Sequence, residues 1–282
     1  MRELELFVSG GEDGLNAAAF LKGHGFSRRM ISSLKFSGGI RRDGEVLRGI
    51  DPVYNGDMIR VVIEDSGGAE PNPNVQAKIA YEDADAVVFE KPAGIPVHQS
   101  FGHLNDTLAN LFAARYPGCA FRAINRLDKN TTGLCVCAKN RLADSLLAGN
   151  VSKTYYAIID GDIAEPGEID APIGRVSESI ILREVKAVSA GGQPAVTLYK
   201  PILRKNGRTL LEINLKTGRT HQIRVHFAYI GYPLCGDDMY GGDRTDISRQ
   251  ALHCGEVRFT SPVSGETIGL KSEIPEDMKR LF

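Results

Sequence analysis

The sequence predicts an α+β fold, in which a small αβ module precedes a larger domain built on a mostly antiparallel mixed sheet. Three observations carry this reading. Apolar runs of strand length alternate with turn residues, only a few segments repeat at helical spacing, and a Pro/Gly/Asn-rich stretch, Ser66 to Asn74, separates the two parts. At 282 residues and 42% hydrophobic content, the chain is long enough for one large core and a satellite. The expected boundaries are a first module over 1–65, a flexible linker over 66–74 and the larger domain over 75–282.

In the first module, Leu15, Ala18, Ala19 and Leu21 recur near helical spacing, which predicts a short helix over Asp13 to Lys22, ended by Gly23 and Gly25. Ser27 is placed to cap a second helix, Arg28 to Phe36, with Met30, Ile31 and Leu34 inward and Arg28, Arg29 and Lys35 outward. Gly38 and Gly39 stop it. Ile40 to Leu47 bends at Arg42-Asp43-Gly44, and Asp57 to Ile63 reads as a closing strand. In the larger domain, Ala86 to Glu90 is a buried strand leading into the Lys91-Pro92-Ala93-Gly94 turn. A helix capped by Asp106 or Thr107 is marked by Leu108, Leu111 and Phe112. Leu134 to Ala138 is an apolar run, and Arg141 to Ala148 a helix packed through Leu142, Leu146 and Leu147. Further strands are expected at Tyr155 to Asp160, Ala195 to Leu203 and Thr209 to Lys216. From Thr220 a helix presents Ile223, Phe227 and Ile230 to the core, and Gly236 to Gly242 is a loop.

Composition removes several function classes. No segment offers about 18 uninterrupted apolar residues, and the N-terminus has acids inside its only apolar patch, so no membrane span or signal peptide is expected and the cytoplasm is the expected location. An odd count of five cysteines in a long chain fits reduced thiols. His221 and His226 do not share a helix face, and Cys135-Val-Cys137 has no second cysteine pair, so no metal is expected. Dehydrogenases and kinases are set aside for want of a Gly-x-Gly-x-x-Gly or Walker-type loop. The net charge of −1 hides local excesses. From Lys22 to Arg48, seven bases (Lys22, Arg28, Arg29, Lys35, Arg41, Arg42, Arg48) stand against only Asp43 and Glu45. From Lys200 to Arg224, seven more (Lys200, Arg204, Lys205, Arg208, Lys216, Arg219, Arg224) stand against only Glu212. Such stretches suit a phosphate path, although solvated charged faces give the same pattern.

The run Asn125-Arg-Leu-Asp-Lys-Asn-Thr-Thr-Gly133 sets Asp128 between Arg126 and Lys129 and ends in a turn. A carboxylate beside cations is favoured as the anion, and an anionic carboxylate can act at a sugar carbon. Three further motifs accompany it: Lys91-Pro-Ala-Gly-Ile-Pro-Val-His98, Lys153-Thr-Tyr-Tyr-Ala157 and Gly218-Arg-Thr-His-Gln-Ile-Arg-Val-His226. In this order, the four motifs resemble those of the RluA-type pseudouridine synthases. The order of elements in the first module is similar to an S4 RNA-binding domain, with Ser27-Arg28 opening its second helix and Gly56-Asp57 before its last strand.

The resemblance implies conversion of uridine to pseudouridine in structured RNA, ribosomal RNA first and transfer RNA second, without a cofactor; a monomer is expected, although the sequence does not fix the oligomeric state. It makes Asp128 the catalytic carboxylate, Arg224 its partner and Tyr155 the residue stacked on the uracil. Arg126 fills the gap left by the flipped base or holds a phosphate, and Lys153, Arg219, His221 and Gln222 bind substrate. Arg28, Arg29, Lys35, Arg41 and Arg42 are the expected RNA contacts of the first module. The chain departs from the family pattern at Asn125 (usually His), Thr132 (usually Ser), Cys254 and Ser261. Asn and Thr keep hydrogen-bonding capacity, so activity is expected to survive. Two rivals stay open: an RNA-binding or ribosome-assembly factor that has lost the chemistry, hinted at by Asn125, and a glycoside or nucleoside hydrolase. The latter normally needs two carboxylates where this motif has one.

Overall fold

The computed structural model describes residues 2–64, 68–176 and 181–282. The N-terminal part is a four-stranded antiparallel sheet ordered Arg2–Phe7, Met58–Ile63, Ile40–Arg42, Glu45–Val46, with two helices packed on it. The Arg28–Ser37 helix follows the expectation, because Ser27 Oγ accepts from the Met30 amide and Gly38 closes the helix at φ 65°. The first helix begins at Ala17 rather than Asp13. Asn16 is its cap, accepting from the Ala19 amide at 2.8 Å, while the Asp13 carboxylate turns away to accept from the Asn55 amide at 2.9 Å.

Phe20, Leu21, Met30, Ile31, Leu34, Ile59 and Val61 form the core of this part. Leu142, from the Arg141–Leu147 helix, completes it, while Ala143 and Leu147 of the same helix enter the large core. One helix therefore serves both cores. Polar contacts reinforce this seam: Asp85 Oδ1 accepts from Arg2 Nε at 2.9 Å and from Asn140 Nδ2 at 2.6 Å. Residues 66 and 67 of the expected linker lie outside the described residues. Its later part is tied down, since Asn72 donates from its amide to Asn110 O and from Nδ2 to Asn105 O, and Asn110 Nδ2 donates to Glu70 O.

The large sheet has ten strands and is antiparallel except at one place, which is the mostly antiparallel α+β arrangement the sequence predicts. Its main path runs Gly167–Asp170, Val196–Lys205, Arg208–Leu215, Ser152–Asp160, Leu252–Thr260, Thr132–Ala138, Ala86–Lys91, Lys78–Glu82. The exception is central: Leu252–Thr260 runs parallel to Thr132–Ala138, pairing His253 with Thr132 and Cys254 with Gly133. Gly133 has φ 110°, and a Cβ there would stand 2.2 Å from the Cys254 carbonyl oxygen, so glycine is what permits the approach. On the other side, Leu252–Thr260 pairs with the Ser152–Asp160 strand that carries Tyr155. This crossing brings the Asp128 loop beside Tyr155. The Gln222–Tyr229 helix packs with Ile223 and Phe227 in the core. A two-stranded hairpin, Ile173–Arg175 with Arg183–Val185, stands apart from the sheet.

Candidate active site

The loop holding Asp128 is anchored at both ends. At its start, Asn125 is buried; its Oδ1 accepts from the Val136 amide at 2.8 Å and its Nδ2 donates to Leu134 O at 3.0 Å. Asn125 therefore faces the sheet and does not take part in the open site. At the loop's end, Gln250 Nε2 donates to Thr131 Oγ1 at 3.1 Å, and Thr132 Oγ1 meets His253 Nδ1 at 2.9 Å. Beneath the loop, Lys91 is 1% exposed, and its ammonium donates to Pro92 O, Ile95 O and Lys129 O at 2.8, 2.8 and 2.9 Å. Burial pushes Lys91 down to about 8, opposed by the charges of Cys135 and Asp128. The Gly94 amide adds a second bond to Lys129 O at 3.0 Å. Asp128 itself remains open, with its side chain 26% exposed.

Arg224 reaches Asp128 from the Gln222–Tyr229 helix. Its Nη1 donates to Asp128 Oδ2 at 3.1 Å, while Nε and Nη2 form a two-point fork on Asp237 at 2.7 Å each. The guanidinium also lies over the Tyr240 ring, 5.0 Å from its centroid. Burial opposes its charge, yet hydrogen bonds and charge from Asp237, then Asp128, hold it above the ordinary arginine value. His221, at the head of the helix with φ 58°, bonds Tyr240 Oη through Nδ1 at 2.8 Å and stops 3.8 Å short of Asp128 with Nε2. Burial lowers the His221 imidazole below its ordinary value, so the neutral ring is favoured. Tyr155 lines the same cleft with Leu215, Ile223 and Leu252. Burial first, then Cys254, Cys135 and Asp128, raise its phenol well above the usual value, keeping it protonated. A single carboxylate thus faces a cleft walled in part by Leu215, Ile223 and Leu252, with a fixed arginine behind it.

The comparisons agree with this geometry. Residues 85–229 match the family model described as RNA pseudouridylate synthase. The chain belongs to this family. Along most of its length it is similar to the uncharacterized RNA pseudouridine synthase YjbO of Bacillus subtilis, at 36% identity over 92% of this chain and 95% of that one. The ribosomal large subunit pseudouridine synthase D of Pseudomonas aeruginosa is 38% identical over 89% of this chain and 85% of that one. The solved structure of human RNA pseudouridylate synthase domain containing 1 superposes with a TM-score of 0.58, at 26% identity, over 72% of this chain and 86% of that one. The RluA-type resemblance of the four motifs is therefore genuine kinship. This member of the family is an isomerase that converts uridine to pseudouridine in RNA.

Of the residues singled out in the sequence, the synthase brings Asp128, Arg126, Tyr155, Arg219, His221, Gln222 and Arg224 to one cleft. Gln222 is largely committed to the protein. Its Oε1 accepts from Thr217 Oγ1 and the Arg219 amide, and its Nε2 donates to Val196 O and Thr197 Oγ1, so it shapes the turn before the helix. Lys153 lies two residues before Tyr155 on the same strand face; burial lowers its ammonium, with Cys254 opposing. Arg126 and Arg219 also border a second cleft of about 550 Å³, lined by Arg175 and Arg183 of the separate hairpin and by Lys186 just after it. In the N-terminal part, Arg28, Arg29, Lys35 and Arg41 are exposed, and Arg28 and Lys35 share a cleft with Lys22. Arg42 differs: it is ion-paired with Asp57 at 2.7 Å and donates to Pro52 O, so it braces its own module. Among the described residues, no three metal-ligating side chains come together, and no helix is long and apolar enough to cross a membrane.

Sequence reading missed Asp237, Tyr240 and Lys91 as site residues. Asp237 has a fully buried side chain inside the expected Gly236 to Gly242 loop. Gly236, at φ 75°, leaves no room for a Cβ, which would fall 2.1 Å from the Arg249 carbonyl oxygen. An acid and an aromatic among glycines was the available signal.

Proposed function

We propose that the enzyme isomerises a uridine of ribosomal RNA, with Asp128 as its catalytic carboxylate. The observation that carries this is the arrangement of Asp128, open to the cleft, held from behind by Arg224 and flanked by the Tyr155 ring. The reaction breaks the N1–C1′ bond and forms a C5–C1′ bond; C5 gives up a proton and N1 gains one, so no redox partner is involved. Asp128 acts on the ribose side, and Arg224 keeps its carboxylate aimed. Tyr155, protonated and buried, offers its ring to the uracil and holds the detached base in a slot that excludes water. Arg126, exposed at the mouth, takes the space that the flipped nucleotide leaves.

The basic cleft of Arg126, Arg175, Arg183, Lys186 and Arg219 supports a backbone path leading into the site. Arg28, Arg29 and Lys35 support the N-terminal part as an S4-like docking module over 1–65, followed by the synthase domain from residue 75. Ribosomal RNA is favoured over transfer RNA because relatives in Pseudomonas aeruginosa and Xanthomonas campestris, each 38% identical, are named ribosomal large subunit synthases. One protomer supplies Asp128, Tyr155, Arg224 and Asp237, which supports action as a monomer. Five free cysteines fit the reducing cytoplasm.

The test is tritium release from C5-labelled uridine in ribosomal and transfer RNA transcripts. Wild type is expected to release tritium from ribosomal RNA without free uracil, and Asp128→Asn to bind RNA with no release. Full activity of that variant removes Asp128 from its role, and release from transfer RNA alone overturns the substrate assignment.

A further inference from the structure

Beside the Asp128 loop lies a second surface loop with no part in the chemistry so far. Ser100 and His103 form a two-bond bridge, 3.1 and 2.9 Å, around a tight turn of Phe101 and Gly102, the glycine at φ 78°. The Phe101 side chain at its tip is fully exposed, at 104%. Polar contacts hold the turn: His103 Nδ1 to Asp106 Oδ2 at 2.6 Å, and Gln99 Nε2 to Leu104 O at 2.7 Å. Its far end touches the Asp128 loop one residue past the carboxylate. His103 Nε2 meets Lys129 Nζ at 3.1 Å, so the ring's proton sits on Nδ1, toward Asp106. His98 lies near Arg126, whose charge, after the partial covering of the ring, lowers its imidazole. The His98 ring also packs edge-on against Phe121 at 5.2 Å.

We propose that this turn is a stacking subsite for a nucleobase next to the target uridine, with Phe101 as the stacking face and Lys129 as a contact for the adjoining phosphate. The inference rests on the RNA reading of the site given above. Flipping a nucleotide leaves its neighbours without a stacking partner, and an aromatic ring replaces that partner for any base. Three features favour a base over a protein partner. The apolar surface is one ring on a braced turn, and Leu104 is the other exposed large apolar side chain of this loop among the described residues, which is small for a protein interface. Lys129 retains two ammonium protons beyond its bond to His103. The turn also lies within two Cα steps, about 7.6 Å, of the residue that touches the Asp128 loop.

The chain contains no tryptophan, so Phe101→Trp introduces a single indole reporter. Adding the ribosomal RNA transcript is expected to quench its fluorescence, saturating at the concentrations that saturate tritium release. A tryptophan at exposed Val263, which belongs to neither proposed RNA face, serves as the comparison for quenching without stacking. Phe101→Ala is expected to raise KM for RNA roughly tenfold, the size of one base–aromatic stack, with kcat retained, and Phe101→Trp to restore KM. Turnover by a Phe101→Trp variant whose fluorescence RNA does not alter, or an unchanged KM in Phe101→Ala, overturns the subsite alone. Wild type that neither binds nor turns over RNA overturns the RNA reading, and the subsite with it.

Discussion

Replacing Lys91 by methionine keeps the length of the side chain and removes its charge, which separates two effects that usually travel together. The ammonium is buried, and its three donors are taken up by Pro92 O, Ile95 O and Lys129 O. Lowering its pKa from 10.5 to about 8 corresponds to roughly 3 kcal/mol of disfavoured charge at neutral pH, which the substitution relieves. Against this, Pro92 O and Ile95 O lose a donor, costing about 1–3 kcal/mol each, whereas Lys129 O keeps the Gly94 amide. The two effects nearly cancel, leaving a net change between a gain of about 1 and a loss of about 3 kcal/mol. The melting temperature of Lys91→Met should therefore stay within about 10 °C of wild type. Activity should not survive so well, because the Lys91 bridge between the Pro92 turn and the Asp128 loop is gone. A displacement of about 1 Å costs on the order of a hundredfold in rate. The pH dependence carries a second signature. The folded pKa lies below the unfolded one, so between pH about 8 and 10.5 the unfolded chain binds the proton more tightly, and this group's contribution to stability rises with pH. Over the same rise, wild-type kcat should fall, since a neutral amine has two protons for three carbonyls. Single-turnover tritium release and thermal melts from pH 7 to pH 10 measure both. A Lys91→Met enzyme with wild-type kcat refutes the bracing role.

Asp237→Asn should destabilise the enzyme by about 3–5 kcal/mol in urea denaturation, because it leaves the Arg224 guanidinium buried with half its fork unpaired. Replacing Arg28 and Arg29 together by alanine should weaken RNA binding and lower the slope of log affinity against log salt by about 0.9 for each phosphate that the two arginines neutralise. An unchanged slope rejects the N-terminal helix as the docking face.

Local signals were legible where one segment decides the outcome. The Arg28–Ser37 helix was readable because Ser27 and Gly38 cap it and its apolar face repeats at helical spacing. The helix before it was misplaced because Asp13 and Asn16 are both capping residues, and only the distant Asn55 amide determines that Asp13 is occupied elsewhere. The Arg2–Phe7 strand went unnoticed although it alternates, with Leu4 and Leu6 toward the core and Glu3 and Glu5 in solvent. The Leu252–Thr260 strand is harder to see, since Gly255 and the bulge between Cys254 and Glu256 break its period. That strand is the one that brings the Asp128 loop and Tyr155 together. The motif residues were legible, but the site's frame depends on pairings between segments a hundred residues apart, which no local pattern records.

Asp237 explains a feature of the site that the motif residues alone leave open. An arginine facing a single carboxylate tends to take both its oxygens in a two-point fork, which would tie up the proposed catalytic group. Here the fork is given to the fully buried carboxylate of Asp237. Only Nη1 remains for Asp128, and it contacts Oδ2 alone. His221 is nearest to that same oxygen and stays at 3.8 Å. Asp128 Oδ1 is thereby left without a hydrogen bond among the described residues, on a side chain that is still partly open to the cleft. The second carboxylate thus acts through geometry: it orients the guanidinium so that Asp128 is held by one oxygen while the other stays unbonded among the described residues, which is what the proposed catalytic role requires.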